Sequence, residues 1–392
     1  MKVLMFSTDK NIFMTGSETQ RRMLEYGSLV EELHIVVKSQ ISNLPIGQIG
    51  LKSQRFGNVF IYSTNSRWPI FYIWDAYKIG KSIIRNLKFE IKNCVITCQD
   101  PFETGLVGYL IKRKFKIPLQ IQVHTDFLSP YFYKESIKNK IRVTMGKWLI
   151  KKANGVRVVS ERIKNSLLSL YPRPYTSSSL KTLQSLNNLN PIFVLPIFVD
   201  IEKSKNSPVK TDLHKKYPGR FIILMASRLT KEKNIGLAIE AMRGLTRKSA
   251  RINAEKILLL IVGDGPEREA LQLLTFNYQL STNVIFEPWS DDLISYYKTA
   301  DLFLLTSNYE GYGRTVVEAT AASLPVVMTD VGVAVGSVVP VGDREALADR
   351  LELLISNRSE REKTLESQKK ILEFYRSKED YLNRIKQSWS HE

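Results

Sequence analysis

The sequence predicts an α/β protein built from two doubly wound domains, each with a mostly parallel sheet, and three observations carry that expectation. Short β-type apolar runs alternate with amphipathic helical stretches. The alternation stops at a polar connector and then starts again. The 392 residues, 43% hydrophobic and 24% charged, suffice for two or three domains of ordinary size. Leu, Ile, Val and Phe are spread along the whole length, so a globular chain is expected rather than a disordered one.

In the first half, strands are expected at residues 2–7, 33–37, 59–62, 94–98, 119–124 and 155–159, with helical periodicity between them, for instance at 18–29 and 104–113. Residues 202–210, rich in Lys, Ser and Asn, read as the connector. Strands resume at 221–226, 257–262, 284–286, 302–306 and 326–329. Residues 359–392 carry a long helical pattern of high charge, and 172–190 read as a surface insertion. The expected domains are therefore 1–203 and 204–375, followed by a terminal helix over 376–392.

No apolar run approaches the roughly 18 to 20 residues of a membrane-spanning helix. The amino terminus has too short an apolar stretch for a secretory signal, so a cytoplasmic location is expected. Cys94 and Cys98 cannot form a disulfide framework, and four scattered histidines show no metal-ligand cluster. The formal charge of +18 is uneven: residues 1–200 hold 29 Lys and Arg against 13 Asp and Glu, while the remainder nearly balances. The first half should thus seek a polyanion, such as an acidic membrane face, a phosphorylated substrate or nucleic acid.

Open α/β sheets bind ligands beyond the carboxyl ends of their strands. The unusual residues fall there: Gly16 after the first strand, His124 at the end of the fifth, Arg228 after 221–226, Gly263 to Pro266 after 257–262, and Glu310 after 302–306. Five such loops from two domains describe a cleft between them. The densest signal is Asn308 to Ala319. Gly311 and Gly313 let the backbone approach a ligand, and the following helix start favours an anion. Glu310 and Glu318 could accept hydrogen bonds from hydroxyl pairs of a sugar or ribose. Alternatively, Glu310 is a loop charge and Glu318 pairs with Arg314 on its own helix. Arg228 and Lys233 could neutralise a diphosphate, although Lys-rich loops are usually just solvated. The Gly263 turn equally reads as a glycine turn with Pro at the first helical position.

Together these stretches resemble the large "group 1" family of retaining glycosyltransferases of bacterial capsule, lipopolysaccharide and lipid-linked glycan synthesis, whose two Rossmann-like domains face a central cleft in the GT-B arrangement. The match runs through the second half in order: Arg228 with Lys233, Gly263 to Pro266, residues 296–305, Glu310 and Glu318 at the E-x7-E spacing, Leu324 to Val327, and Val341 to Asp343. The resemblance implies that Arg228 and Lys233 bind the donor diphosphate and Glu318 the ribose hydroxyls. Glu310 would hold the transferred sugar, with the amides of Gly311, Tyr312, Gly313, Arg314 and Thr315 around sugar and phosphate. Pro288 and Trp289 would lie near the base. Gly16 matches the family's first loop, where many relatives have two glycines, and His124 matches its sugar-contacting histidine. A lone strand-end histidine would otherwise be structural. Residues 329–338 are shorter than in many relatives, and Ile197-Phe198 replaces a common Asn-Gly. The resemblance also implies that the terminal helix over 376–392 returns to the N-terminal domain.

The resemblance further implies transfer from a nucleotide-diphosphate sugar to a glycan or lipid-linked acceptor with retention; no metal-binding acidic pair is apparent, Asp291-Asp292 reading as a helix cap, so no metal and no cofactor are expected. Residues 134–152 set Ile137, Ile141, Met145 and Trp148 at helical spacing among Lys138, Arg142, Lys147 and Lys151, a pattern suited to an anionic membrane surface unless the stripe faces the core. These residues and Asp126 are assigned to the acceptor or membrane side, implying a peripheral protein on the inner face of the cell membrane. A nucleotide-sugar epimerase or phosphorylase on the same scaffold is the alternative enzyme. A basic nucleic-acid-binding protein is the alternative class, but no recognised motif supports it, and nucleic acid is not an expected partner.

Overall fold

The computed structural model describes residues 1–39, 53–86, 93–170, 190–248 and 253–390. The proposed insertion at 172–190 therefore lies almost wholly outside the described residues. The chain forms two compact units, Met1–Pro196 with Lys378–Glu392, and Ile197–Ser377.

The first unit contains β1 (Lys2–Ser7), β2 (Glu32–Val37), β3 (Ser53–Phe56), β4 (Val59–Ser63), β5 (Cys94–Cys98), β6 (Leu119–Val123), β7 (Gly155–Val158) and β8 (Ile192–Val194). They form one sheet of order β3-β4-β2-β1-β5-β6-β7-β8. Only the β3–β4 hairpin is antiparallel. The chain moves outward from β1 on one side and resumes at β5 on the other, so the strand order reverses between β1 and β5.

The second unit contains β9 (Phe221–Ala226), β10 (Ile257–Val262), β11 (Val284–Glu287), β12 (Leu302–Leu305), β13 (Val326–Thr329) and β14 (Ser337–Val339). Their order is β11-β10-β9-β12-β13-β14, all parallel, with the reversal between β9 and β12. Every residue of β10 is buried, as a sheet covered on both faces requires. Ile223 and Met225 of β9 enter one core, while Ile222, Leu224 and Ala226 enter the other.

The structure differs from expectation at several elements. Residues 202–210 do not run as a plain connector: Asp200 accepts the Lys203 amide at 2.9 Å and caps a helix over Ile201–Asn206, whose Ile201 is buried. The first unit ends at Pro196 rather than 203. The terminal pattern is broken into helices Arg358–Gln368 and Lys378–Ser390 with a 3-10 segment, Lys369–Tyr375, between them. Gln368 is fully buried, binding the Val326 amide at 3.0 Å and the Leu324 carbonyl at 2.8 Å, which ends the first of these helices. The last helix belongs to the first unit, where Tyr381 and Trp389 are buried and the Tyr381 hydroxyl meets that of Tyr26 at 2.9 Å. The strands β3, β8 and β14, of four, three and three residues, are too short to show a period in the sequence.

Candidate functional site

In the second unit, loops from four neighbouring strands are sewn together at the carboxyl edge. The Leu229 amide after β9 donates to Asp264 after β10 at 2.8 Å, and the Asn308 amide after β12 donates to the Glu232 carbonyl at 2.8 Å. Beyond β13, the Val333 amide donates to the Tyr312 carbonyl at 2.9 Å, and the Thr329 hydroxyl at the end of β13 reaches the Ser307 carbonyl at 2.7 Å. These bonds bring Arg228, Lys233, Gly263 and the stretch from Glu310 to Glu318 to one edge, across the strand-order reversal.

Two glycines are required there. Gly263 has φ +146°, and a Cβ would stand 1.9 Å from the Ser227 carbonyl oxygen, so the β9 and β10 loops could not meet with any side chain present. Gly313 has φ +99° and precedes helix Arg314–Ala321, turning its first amides outward without a side-chain cap.

Lys233 Nζ lies 2.5 Å from Glu310 Oε1, with both side chains largely buried. Ser307 donates its hydroxyl to the same oxygen at 2.8 Å. Glu310 Oε2 has no hydrogen-bond partner among the described residues. An ammonium has three donors, so Lys233 keeps two for another ligand. Arg228 is 75% exposed and held by Glu232 at 3.1 Å. Glu318 accepts from Arg314 Nε at 2.8 Å and from the Tyr297 hydroxyl at 3.2 Å. The Arg314 pairing considered from sequence is thus formed, and it fixes the carboxylate at the site edge. Pro288 and Trp289 follow β11 and are exposed. Glu287, just before them, is pulled below the usual carboxylate range: burial pushes it up, but bonds from Lys216, Tyr217 and Tyr296 outweigh that.

Gly16 and His124 belong to the first unit. Gly16 has φ +77°, and a Cβ there would meet nothing within 4 Å, so the left-handed backbone alone calls for glycine. His124 follows β6, and its Nε2 lies 2.9 Å from Gln122 Oε1. Burial, followed by the charges of Arg157 and Arg22, pushes its imidazole down to about 3. Burial raises the Asp126 carboxyl, and Arg162 partly opposes the shift.

Helix Ile137–Ile150 buries Asn139, Val143, Gly146, Leu149 and Ile150. The stripe weighed in the sequence faces outward: Ile137 is 77% exposed, Ile141 64% and Trp148 44%, with Met145 half-buried. Lys138, Lys147 and Lys151 are exposed beside it. Arg142 requires a correction. Its guanidinium makes 2.7 and 2.9 Å bonds to the two Glu103 oxygens, which removes it from a docking face. Sequence periodicity also could not reveal Ser307, Tyr297 or Gln122 as partners of the site acids and histidine, because each reaches its partner only through packing.

Two Rossmann-like units, the second with a cation–carboxylate pair at its strand reversal beside a glycine-led helix start, define the GT-B class. Residues 209–371 match the family described as glycosyl transferases group 1. It is 26% identical over 295 residues to an uncharacterised glycosyltransferase of Methanocaldococcus jannaschii, covering 73% of this chain and 64% of that one. It is 27% identical over 246 residues to the alpha-monoglucosyldiacylglycerol synthase of Streptococcus pneumoniae, covering 59% and 51%. The chain thus spans half to two thirds of the length of these relatives. The structure of Anabaena HepE with UDP and glucose matches over 100% of this chain and 99% of the other, with a TM-score of 0.70 and 16% identity, a likeness of fold.

Proposed function

We propose that this protein is a retaining glycosyltransferase that moves a sugar from a nucleotide-diphosphate sugar to a glycan or lipid-linked acceptor in cell-surface polysaccharide or glycolipid synthesis. The observation that carries the reading is the Lys233–Glu310 pair: a cation with spare donors and an acid with an unused oxygen stand side by side at the strand reversal. In glycosyl transfer the leaving diphosphate gains negative charge while the sugar becomes oxocarbenium-like. Lys233, Arg228 and the amides from Gly311 to Thr315 would stabilise that charge where it develops, without a divalent ion. Glu310 Oε2 would hold sugar hydroxyls, Glu318 the ribose, and the exposed Pro288–Trp289 turn the base. His124 would contact the donor sugar.

Glu310 Oε1 is occupied by Lys233 and Ser307, which suits an orienting acid better than a nucleophile. Retention would then follow from same-face attack assisted by the leaving phosphate. The name of the S. pneumoniae relative supports a lipid acceptor. The outward Ile137, Ile141 and Trp148 among lysines support a peripheral site on an anionic, cytoplasm-facing leaflet.

Donors are best screened by thermal shift with UDP-, GDP- and dTDP-sugars, because a bound donor stabilises the fold by mass action. The solved HepE complex makes UDP-glucose the first to try. Labelled donor, mixed lipid acceptors and EDTA should then yield a glycosylated lipid with the donor's anomeric configuration. Epimerised donor without transfer, or no stabilisation by any nucleotide sugar, would overturn the proposal.

A further inference from the structure

A line of buried polar side chains crosses one face of the first sheet. Register partners in a parallel sheet share a face, so Thr97 of β5 stands with Gln120 of β6, and Gln122 stands with Arg157 of β7. His124 continues the same alternation just beyond β6. Thr97 and Gln120 are fully buried and Gln122 nearly so. A strand covered on both faces is ordinarily Val, Ile and Leu, and polar groups there cost free energy unless every one is bonded.

The direction of each bond is forced from one end. The main-chain carbonyl of Ser388, on the last helix, can only accept, so Gln120 offers it Nε2–H and turns Oε1 the other way. That oxygen accepts the Thr97 hydroxyl at 3.0 Å. With its single hydrogen used, Thr97 Oγ1 must accept from Gln122 Nε2, at 2.8 Å. Gln122 then presents Oε1 to His124 Nε2 at 2.9 Å, and an amide oxygen cannot donate. The imidazole hydrogen therefore sits on Nε2. Burial and the nearby Arg157 and Arg22 keep the ring uncharged, and Nδ1 makes no hydrogen bond among the described residues.

We infer that Gln122, Thr97 and Gln120, anchored on the Ser388 carbonyl, are positioning residues that fix His124 as its Nε2–H tautomer, so that Nδ1 accepts a hydrogen bond from a substrate hydroxyl or amide. The substrate half of this statement rests on His124 contacting the donor sugar. It also sets a substrate class: a lone pair at Nδ1 welcomes a neutral sugar with a hydroxyl at that position and repels a uronate carboxylate. The final helix thereby becomes part of the site's specification, through a carbonyl that touches no ligand.

The test is a two-bond proton–nitrogen correlation spectrum of the full chain labelled with 15N-histidine, with His124 assigned by its loss in His124→Gln. The expected wild-type pattern is one protonated Nε2 and one bare Nδ1, unchanged between about pH 5 and pH 8, where an ordinary histidine titrates. An Nδ1–H tautomer, a mixture or a titrating ring would overturn the inference. Thr97→Val frees the Gln122 amide to turn over and should convert His124 to a mixture or to Nδ1–H, whereas Thr97→Ser should keep the wild-type pattern. Retention of that pattern in Thr97→Val overturns the relay. In transfer assays Thr97→Val should lose activity that Thr97→Ser retains. If the spectra behave as expected but His124→Gln transfers sugar at the wild-type rate, the relay stands and the role of His124 at the donor falls.

Discussion

Lys233 and Glu310, 77 residues apart in sequence, stand 2.5 Å apart because β9 and β12 are neighbours only at the strand-order reversal. The Asn234 side-chain amide donates to Asn308 Oδ1 at 3.0 Å, and the Thr306 hydroxyl reaches the Lys233 carbonyl at 3.0 Å, so both loops are fixed before any ligand arrives. Pre-set charges of this kind need no rearrangement when the leaving group ionises.

Replacing either member should therefore cost rate rather than fold. Lys233→Ala and Glu310→Ala are each expected to lower transfer by about 100-fold or more, the scale for a lost charge-stabilising group. Circular dichroism should stay unchanged. Full activity in both variants would remove this pair from the mechanism.

Gly263 makes a prediction about stability. A methyl group there meets the Ser227 carbonyl at a distance no structure tolerates, on a backbone at φ +146° that disfavours any side chain. Gly263→Ala should cost about 2 kcal/mol or more and lower the melting temperature. An unchanged melting temperature would show that the two loops do not meet as described.

His124 links stability to pH. Its folded value of about 3 lies below the ordinary 6.5, so the unfolded chain takes up a proton that the folded chain refuses. The folded state is undisturbed above about pH 7 and loses stability as the pH falls from 6.5 toward 3. Between pH 7 and pH 5 the loss from this group should be about 1 to 2 kcal/mol. Urea unfolding at both values checks it: His124→Gln should show a smaller loss than wild type, and equal losses would place His124 in a less buried setting.

The outward stripe on helix Ile137–Ile150 predicts salt-sensitive flotation with vesicles containing anionic phospholipid. Ile141→Glu together with Lys147→Glu should abolish it, whereas Arg142→Gln should alter stability through Glu103 more than binding. Binding that ignores both salt and the double substitution would assign the stripe another role.

The sequence by itself determined the α/β class, the two series of strands and the loops holding Arg228, Lys233, Gly263, Glu310 and Glu318. It could do so because two-sided burial writes continuous apolar runs such as Ile257–Val262, and because glycine turns at strand ends are local signals. Tertiary structure alone decided which partner each polar group takes: Ser307 on Glu310, Tyr297 on Glu318, Glu103 on Arg142, and Gln122 on His124. It also decided that Ile137 and Ile141 face outward. Helix Ile137–Ile150 has apolar residues on both faces, so its periodicity cannot name the buried one, and a hydrogen bond across tens of residues exists only once strand order has brought its two ends together.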